Sequence, residues 1–180
     1  MTNLLYPFLA FAASVGLFFS PAPKIINNGD SFQLIINASS DDQATFGTDV
    51  VLNYNPKFLT AIKINPGNIY PNYPENLQDI DDVMGKVKFS GTIGLNQTPK
   101  AAAGVLGEVY FRAKQTGTTQ VNFEWYPGGT NDCNIVPSAA GLDLLIKQPE
   151  GVNLTIKEPT SSEKVWILAK RLLSFDYLRF

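Results

Sequence analysis

Turn-forming residues divide most of this chain into short apolar runs, and this spacing constrains the fold more than any other feature. Clusters of Gly, Pro, Asn and Asp recur throughout residues 24–157, as in Asn55-Pro56 and at residues 65–67. Proline removes a backbone donor and glycine weakens a helix interior, so a helix of ordinary length cannot pass through such clusters. Between them apolar and polar residues alternate, which is typical of strands with one buried face. The pattern predicts an all-β domain.

The same alternation places roughly eight or nine short strands in the domain. Val87 and Phe89, for example, alternate with lysines, so the apolar pair shares one face. A strand count of this size fits two sheets packed face to face. The stretches 68–84 and 95–104 lack the alternation and are predicted to be irregular or loops. Strands are expected at residues 32–37, 49–54, 58–64, 85–93, 105–113, 119–125, 142–146 and 152–157.

The N-terminal segment is apolar over residues 4–19. This run is shorter than the about 20 residues that a membrane-spanning helix needs, and small residues at positions 12–16 resemble the end of a signal peptide. The first cation is Lys24, so the segment lacks the basic start that signal peptides usually have. We predict that residues 1–23 are a signal peptide or an N-terminal anchor, which implies a secreted or cell-surface protein.

The residue pattern changes again after residue 158. A small polar linker is followed by Val165, Leu168 and Leu172 at helical spacing, with basic residues off the apolar stripe. Residues 159–180 are therefore predicted to be a linker and a short amphipathic basic helix. Such a helix could lie on a membrane surface or a partner, pack on the sandwich, or begin a longer chain. Residues 24–158 remain as the folded domain.

Composition excludes several classes of function. The chain has no histidine and a single cysteine, Cys133, which rules out a Ser-His-Asp relay, an internal disulfide and Cys-x-x-Cys motifs. The net charge of −2, with no basic stripe ahead of the C-terminal helix, argues against nucleic-acid binding. Membrane contact is expected only through the N-terminal segment or the C-terminal helix. No cofactor is predicted, and the chain is not expected to be an enzyme.

One pair of acidic residues bears on that last expectation. Glu108 and Glu124 lie on strands predicted to be adjacent, and two facing carboxylates are the usual equipment of a glycoside hydrolase. Exposed acids on neighbouring strands are, however, usually just solvated. We therefore predict no catalytic pair here.

Two groups of oxygen-bearing side chains are candidates for calcium, which takes about six to eight oxygen ligands. Neither group has the spacing of an EF-hand loop, and such side chains also cap the loops that contain them. We predict no metal site at either place. The groups are Asp79, Asp81 and Asp82, and Asn131, Asp132 and Asn134.

Four segments, taken in order, resemble one known family. They are a Gly-Asp at residues 29–30, a strand in residues 46–59 that ends in Tyr-Asn-Pro and is followed by Phe-Leu, a turn at 65–69, and a Gly-x-Leu-x-x-Val-x-Phe strand at 104–111. A Gly-Thr-Thr turn at 117–119 follows. The set resembles the cohesin domains of bacterial cellulosome scaffolds and the carbohydrate-binding modules related to them.

The resemblance implies a jelly-roll β-sandwich of about nine strands with a non-catalytic role in protein binding. Cohesins bind dockerins through one sheet face, and an Asp in the strand before Tyr-Asp-Pro is a recurrent contact. Asp49 stands at that place, Gly47 stands where the family often has Asn, and Asn55 replaces the Asp of Tyr-Asp-Pro. Asp49 and Gly47 are therefore the predicted partner-binding residues, and a dockerin-like or surface protein is the predicted partner.

Two alternative functions remain open at this point. Tyr70 and Tyr73, flanked by prolines, and Trp125 at a strand end could stack on the sugar rings of a polysaccharide, as in a carbohydrate-binding module. The same rings could instead cover one end of the sandwich or pack in its core. The chain could also be a structural domain of a larger surface protein.

Overall fold

The computed structural model shows a protein built almost entirely from strands. Its described residues are 14–94, 96–138 and 142–161, and they contain ten strands and one 3-10 helix, η1 (Glu75–Leu77). The predicted all-β fold of about nine strands is confirmed. The strands are β1 (Gly16–Phe19), β2 (Ile25–Asn27), β3 (Ser31–Tyr54), β4 (Leu59–Pro66), β5 (Asp79–Asp81), β6 (Lys86–Thr92), β7 (Lys100–Ala113), β8 (Gly117–Phe123), β9 (Asn134–Pro137) and β10 (Val152–Lys157).

Two predicted segments bear on membranes. No helix within the described ranges is long and apolar enough to cross a membrane. From residue 162 onward, the predicted C-terminal helix lies outside the described residues. The first thirteen residues of the predicted signal peptide or anchor also lie outside the described residues.

The 24-residue strand β3 belongs to two sheets. Its first part, residues 31–39, pairs with β1 and β7, whereas its second part, residues 47–54, pairs with β6, β8 and β9. Between the two parts the register shifts, and Asp41 and Asp42 have φ angles of 51° and 61°. Aspartate tolerates this left-handed conformation better than most residues, so the strand can turn here without a glycine.

The pairings give two layers. The first layer has the strand order β1-β3-β7-β4, and the second has the order β2-β10-β8-β3-β6-β5, with β9 beside β3 beyond the end of β8. Rings join the layers: Phe111 of β7 meets Tyr54 of β3 edge-on at 5.3 Å between centroids, and Phe19 of β1 stacks on Phe123 of β8 at 4.5 Å. Residues that are almost completely buried include Leu34, Ile36, Leu52, Val87, Phe89, Leu106, Val109, Phe111, Phe123 and Leu154.

The sandwich begins within the segment that the sequence assigns to a signal peptide or anchor. Strand β1 pairs with β3 from Gly16 to Phe19, and Leu17 is only 4% exposed. The apolar character of residues 16–19 is thus explained by burial in the core, whatever the fate of the residues before them. The folded domain therefore starts ahead of Lys24.

Several predicted element boundaries are wrong. The stretch 68–84 contains η1 and β5, and β7 already begins at Lys100, inside a predicted loop. Residues 142–146 do not form a strand, because the Asp143 carboxylate accepts the backbone N–H groups of Ile135 and Leu145 at 2.7 and 2.9 Å. The strand in this region is β9, which the sequence analysis missed because it is only four residues long.

Cys133 is a core residue. Its side chain is fully buried, its sulfur accepts the Val51 N–H at 3.2 Å, and its S–H donates to the Val51 carbonyl at 3.3 Å. Burial raises the pKa of the thiol to about 12, and the nearby carboxylates of Asp132 and Glu124 add to the shift. The thiolate is the reactive form of cysteine, so this thiol is inert in the folded protein.

We expect Cys133 to be unreactive toward a thiol reagent at pH 8 in the native state and fully reactive in denaturant. Burial keeps the reagent away from the sulfur, and the raised pKa keeps the thiol protonated at pH 8. Absorbance of released thionitrobenzoate measures the reaction. Rapid labelling of the native protein would contradict this placement of the side chain.

Strand β1 should contribute measurably to stability. The comparison is between a chain that begins at Ser14 and one that begins at Lys24. A chain that begins at Lys24 should lose about 3 kcal/mol or more, because Leu17 and Phe19 leave the core. Urea unfolding followed by tryptophan fluorescence measures the difference. Equal stability of the two shortened chains would mean that β1 adds nothing to the core.

Candidate partner-binding surface

The candidate surface is the outward side of the second layer, where Asp49 lies on the central strand β3. Asp49 is paired with Ser90 on β6 and with Asn134 on β9, and residues directly opposite in a sheet share a face. The Ser90 hydroxyl donates to Asp49 Oδ1 at 2.5 Å. Because Asp49 is half-buried, this bond fixes the direction of a carboxylate that is still open to a partner.

A groove with an apolar rim opens beside Asp49, and we call it the Asp49 groove. Its walls are formed by the loop after β8, by β9 and by residues 142–146. Leu142 is 91% exposed, Ile146 is 77% exposed, and Val136 is also exposed. Exposed aliphatic side chains gathered at one concave place are typical of an interaction site. The groove is lined by Asp49, Trp125, Pro127, Gly128, Gly129, Thr130, Asn134, Val136, Pro137, Leu142, Asp143, Leu145 and Ile146.

Hydrogen bonds hold the walls of the Asp49 groove in place. The Trp125 indole N–H donates to the Leu145 carbonyl at 2.9 Å, which ties one wall to the other. The buried Asp132 carboxylate accepts the Tyr126 N–H and so fixes the turn of the first wall. Burial raises the pKa of Asp143, although its two backbone hydrogen bonds oppose the shift. The groove is therefore a preformed feature of the fold.

A charged network lies on the same face, further along β3. The Lys86 ammonium contacts the Glu124 carboxylate at 2.8 Å, and Asn53 donates to the same oxygen at 2.7 Å. Burial alone opposes ionisation of Glu124, but the hydrogen bonds from Lys86 and Asn53 outweigh it and lower the pKa. Glu124 is thus ionised and paired at neutral pH.

Gly47 occupies a close-packed position. It is buried, and a Cβ atom added there would lie 2.8 Å from the Gly91 carbonyl oxygen and 3.2 Å from the Thr92 methyl group. The absence of a side chain therefore lets β6 approach β3 closely. The structure brings Gly47 onto the same strand face as Asp49, two residues away.

The two predicted stacking tyrosines are placed differently from Trp125. Tyr70 is only 3% exposed, and its hydroxyl bonds to the hydroxyls of Thr45 at 2.7 Å and Thr48 at 2.9 Å. Burial raises the pKa of both Tyr70 and Tyr73. Both rings pack against Gly91, where an added Cβ would lie 2.6 and 2.9 Å from them. Tyr70 therefore packs in the core and Tyr73 is half-buried, and of the predicted three only Trp125 lines the Asp49 groove.

Two of the aspartates considered for calcium accept hydrogen bonds within the protein. Asp82 accepts the Tyr54 hydroxyl at 2.5 Å and the Ala61 N–H at 3.1 Å, and Asp81 accepts the N–H groups of Val83 and Met84. The two Asp81 bonds fix the turn between β5 and β6. The Asp82 bonds tie that turn to Tyr54 on β3 and Ala61 on β4. In the part of the chain that the structure describes, no group of three or more His, Cys, Asp or Glu residues could hold a metal ion.

The prediction that Glu108 and Glu124 lie on adjacent strands is wrong. Glu108 lies on β7, which pairs with β3 and β4, whereas Glu124 follows β8, which pairs with β10 and the second part of β3. The two carboxylates therefore belong to different layers. Adjacent position along the chain does not make β7 and β8 neighbours, because the connection between them crosses from one layer to the other.

Sequence reasoning proposed Asp49, and it named Trp125 and Asn134 for other roles, but it did not predict that these residues lie together. Ser90 alternates with Val87 and Phe89, so its outward direction could be deduced, whereas its pairing with Asp49 depends on the register between two strands. The sequence analysis assigns Leu142 and Ile146 to a strand. Nothing in the sequence indicates that their segment turns outward beside Asp49.

Comparison with known proteins identifies the family. The Cohesin domain family model matches residues 22–134, which is more than half of the chain. A search of curated proteins returned no match.

Solved structures with the same fold are cohesin modules of low sequence identity. A type II cohesin of the ScaA scaffoldin of Acetivibrio cellulolyticus has a TM-score of 0.62 at 13% identity, covering 84% of this chain and 96% of that one. The cohesin of a Clostridium perfringens family 33 glycoside hydrolase gives 0.58 at 13%, covering 81% and 100%. The third ScaC cohesin of Acetivibrio cellulolyticus, solved with the ScaB dockerin, gives 0.57 at 9%, covering 79% and 99%. The family match and the shared fold together show that the chain belongs to the cohesin domain family.

Proposed function

We propose that the chain is a non-catalytic protein-binding module that uses Asp49 and the Asp49 groove to hold its partner. The observation that carries this proposal is the half-buried, Ser90-bonded carboxylate beside a groove rimmed by exposed aliphatic side chains. The family match supports the same function, since cohesins are non-catalytic modules that bind other proteins.

The physical make-up of the surface suits a protein better than a small polar ligand. Protein interfaces combine an apolar centre, often with a tryptophan, and a few oriented polar groups. Here Leu142 and Ile146 expose aliphatic area that water solvates poorly, and Trp125 lines the same groove. Covering this area would supply affinity, whereas Asp49 would supply direction.

A dockerin-type module is the partner class that we propose. Asp49 can only accept hydrogen bonds when ionised, so a matching partner must present donors beside an apolar patch. A helix can do this with side chains three or four residues apart on one face. The ScaC cohesin named above was solved with a dockerin, which supports this class for a chain of the same fold.

We further propose that the module works in a secreted or cell-surface assembly. The apolar segment before β1 supports export, and membership of a family of cellulosome scaffold components supports an assembly role. Polysaccharide binding by Tyr70 and Tyr73 finds no support in their packing.

Removal of the Asp49 carboxylate should weaken partner binding strongly. We expect Asp49→Ala to lower the affinity for a cognate dockerin roughly 10- to 100-fold, because losing a charged hydrogen bond costs about 1.5–3 kcal/mol. Biolayer interferometry against a panel of dockerin modules measures this. The matched control is Asp42→Asn, which changes an exposed aspartate at the bend of β3 and keeps a residue that tolerates its φ of 61°.

The contribution of the Asp49 groove can be tested separately. Ile146→Asp should weaken binding of the same dockerin at least tenfold, because it puts a charge into the apolar rim, and it should leave the unfolding free energy unchanged since Ile146 is 77% exposed. Failure of every dockerin to bind the unmodified chain would refute the proposed partner class. Unchanged binding by both Asp49→Ala and Ile146→Asp would refute the proposed surface.

A further inference from the structure

A second groove, separate from the Asp49 groove, crosses the outward side of β3, β8 and β10. We call it the amide groove because side-chain amides dominate it. None of its lining residues carries a charge. Its residues are Asn53, Asn55, Thr118, Gln120, Asn122, Asn153 and Thr155, with Tyr54, Thr119 and Leu154 beneath them.

Strand register aligns these side chains in pairs. Asn53 lies opposite Asn122, Gln120 lies opposite Asn153, and Thr118 lies opposite Thr155. Opposite residues point to the same side of a sheet, so the pairs form rows across three strands. Along β8 the groove covers roughly 13 Å at about 3.3 Å per residue, and across the strands it covers roughly 10 Å.

The amides are already oriented by one another. Gln120 donates to the Asn153 side-chain oxygen, and Asn122 donates to the Gln120 side-chain oxygen at 3.4 Å. Each side-chain amide has two N–H donors and an oxygen with two lone pairs, so these bonds use less than half of the capacity. The remaining donors and acceptors face solvent, because Gln120 and Asn153 are exposed.

Folding alone does not account for this composition. Asn is depleted in strands, and charged residues make up about a quarter to a third of an ordinary protein surface. The neighbouring part of the same face follows that rule, with Lys86, Lys88 and Glu124. A continuous uncharged area with donors and acceptors therefore indicates a ligand whose own surface is uncharged and rich in both.

We propose that the amide groove binds a neutral oligosaccharide. Sugar hydroxyls both donate and accept, as side-chain amides and threonine hydroxyls do, and the groove offers no charge that would select an anionic sugar. Asp49 and Asn53 are four residues apart on β3, roughly 13 Å, and the two grooves share no lining residue. The inference is independent of the proposed protein partner.

The test is a titration of the full chain with cellohexaose, xylohexaose and mannohexaose, followed by NMR. At least one of these sugars should shift the side-chain NH2 signals of Gln120, Asn122 and Asn153. The double variant Gln120→Ala, Asn122→Ala should weaken that binding at least fivefold. The thermal midpoint checks that the variant is folded, and Thr155→Val is a second variant that removes one hydroxyl from the same groove and should weaken binding about twofold or more.

Two matched variants separate this site from others. Gln33→Ala removes an exposed amide from the other part of β3, and Asp49→Ala alters the proposed protein-binding surface; neither should change sugar affinity. Polygalacturonate, an anionic sugar polymer, is titrated in the same way. The proposal is overturned if none of the three neutral sugars shifts these signals, or if the double variant binds them as tightly as the unmodified chain. It is likewise overturned if polygalacturonate binds and the neutral sugars do not. It is also overturned if the groove instead pairs two copies of this chain, which sedimentation would show as a dimer lost in the double variant.

Discussion

The shared strand β3 is the element on which both layers depend. Its first part has hydrogen-bonded neighbours on both edges in the first layer, and its second part has neighbours on both edges in the second. A shift by one residue in either part would turn buried side chains such as Leu34 or Leu52 outward, because strand side chains alternate. The bend at Asp41 and Asp42 joins the two registers, and the register of the second part places Asp49 on the outward face of the second layer.

Much of this arrangement could be predicted from the sequence, because a strand with one buried face has apolar residues at every second position. The alternation located both parts of β3, the strands β6, β7 and β8, and the inward side of β6. The alternation could not show that two of the predicted strands are one continuous strand, because residues 40–43 are all polar and resemble a connection between strands. Nor could it separate a leader from a core strand, because the apolar residues of β1 satisfy both patterns equally.

The sequence proposed Asp49 and Trp125 as candidate site residues but not their placement in one groove. Asp49 came from the resemblance to cohesins, but the rest of its groove comes from residues about 76 to 97 positions further along the chain, and pairing at such a distance leaves no local signal. The tyrosines show the converse problem. Proline-flanked rings look like a surface platform in the sequence, whereas Gly91 leaves a space on the inner side of β6 that Tyr70 and Tyr73 fill.

The charges on the outward face divide it into regions with different chemistry. Lys86 and Glu124 neutralise each other, and Asn53 joins them, so this network offers little net field to a ligand. Asp49 has instead a neutral donor, Ser90, and a groove rimmed by aliphatic side chains. A partner that covers the groove removes water from this carboxylate and must replace the lost hydrogen bonds, since an unmatched buried charge costs several kcal/mol. In the proposed function, apolar area would make binding favourable, while Asp49 would reject every partner that covers the groove without bringing donors.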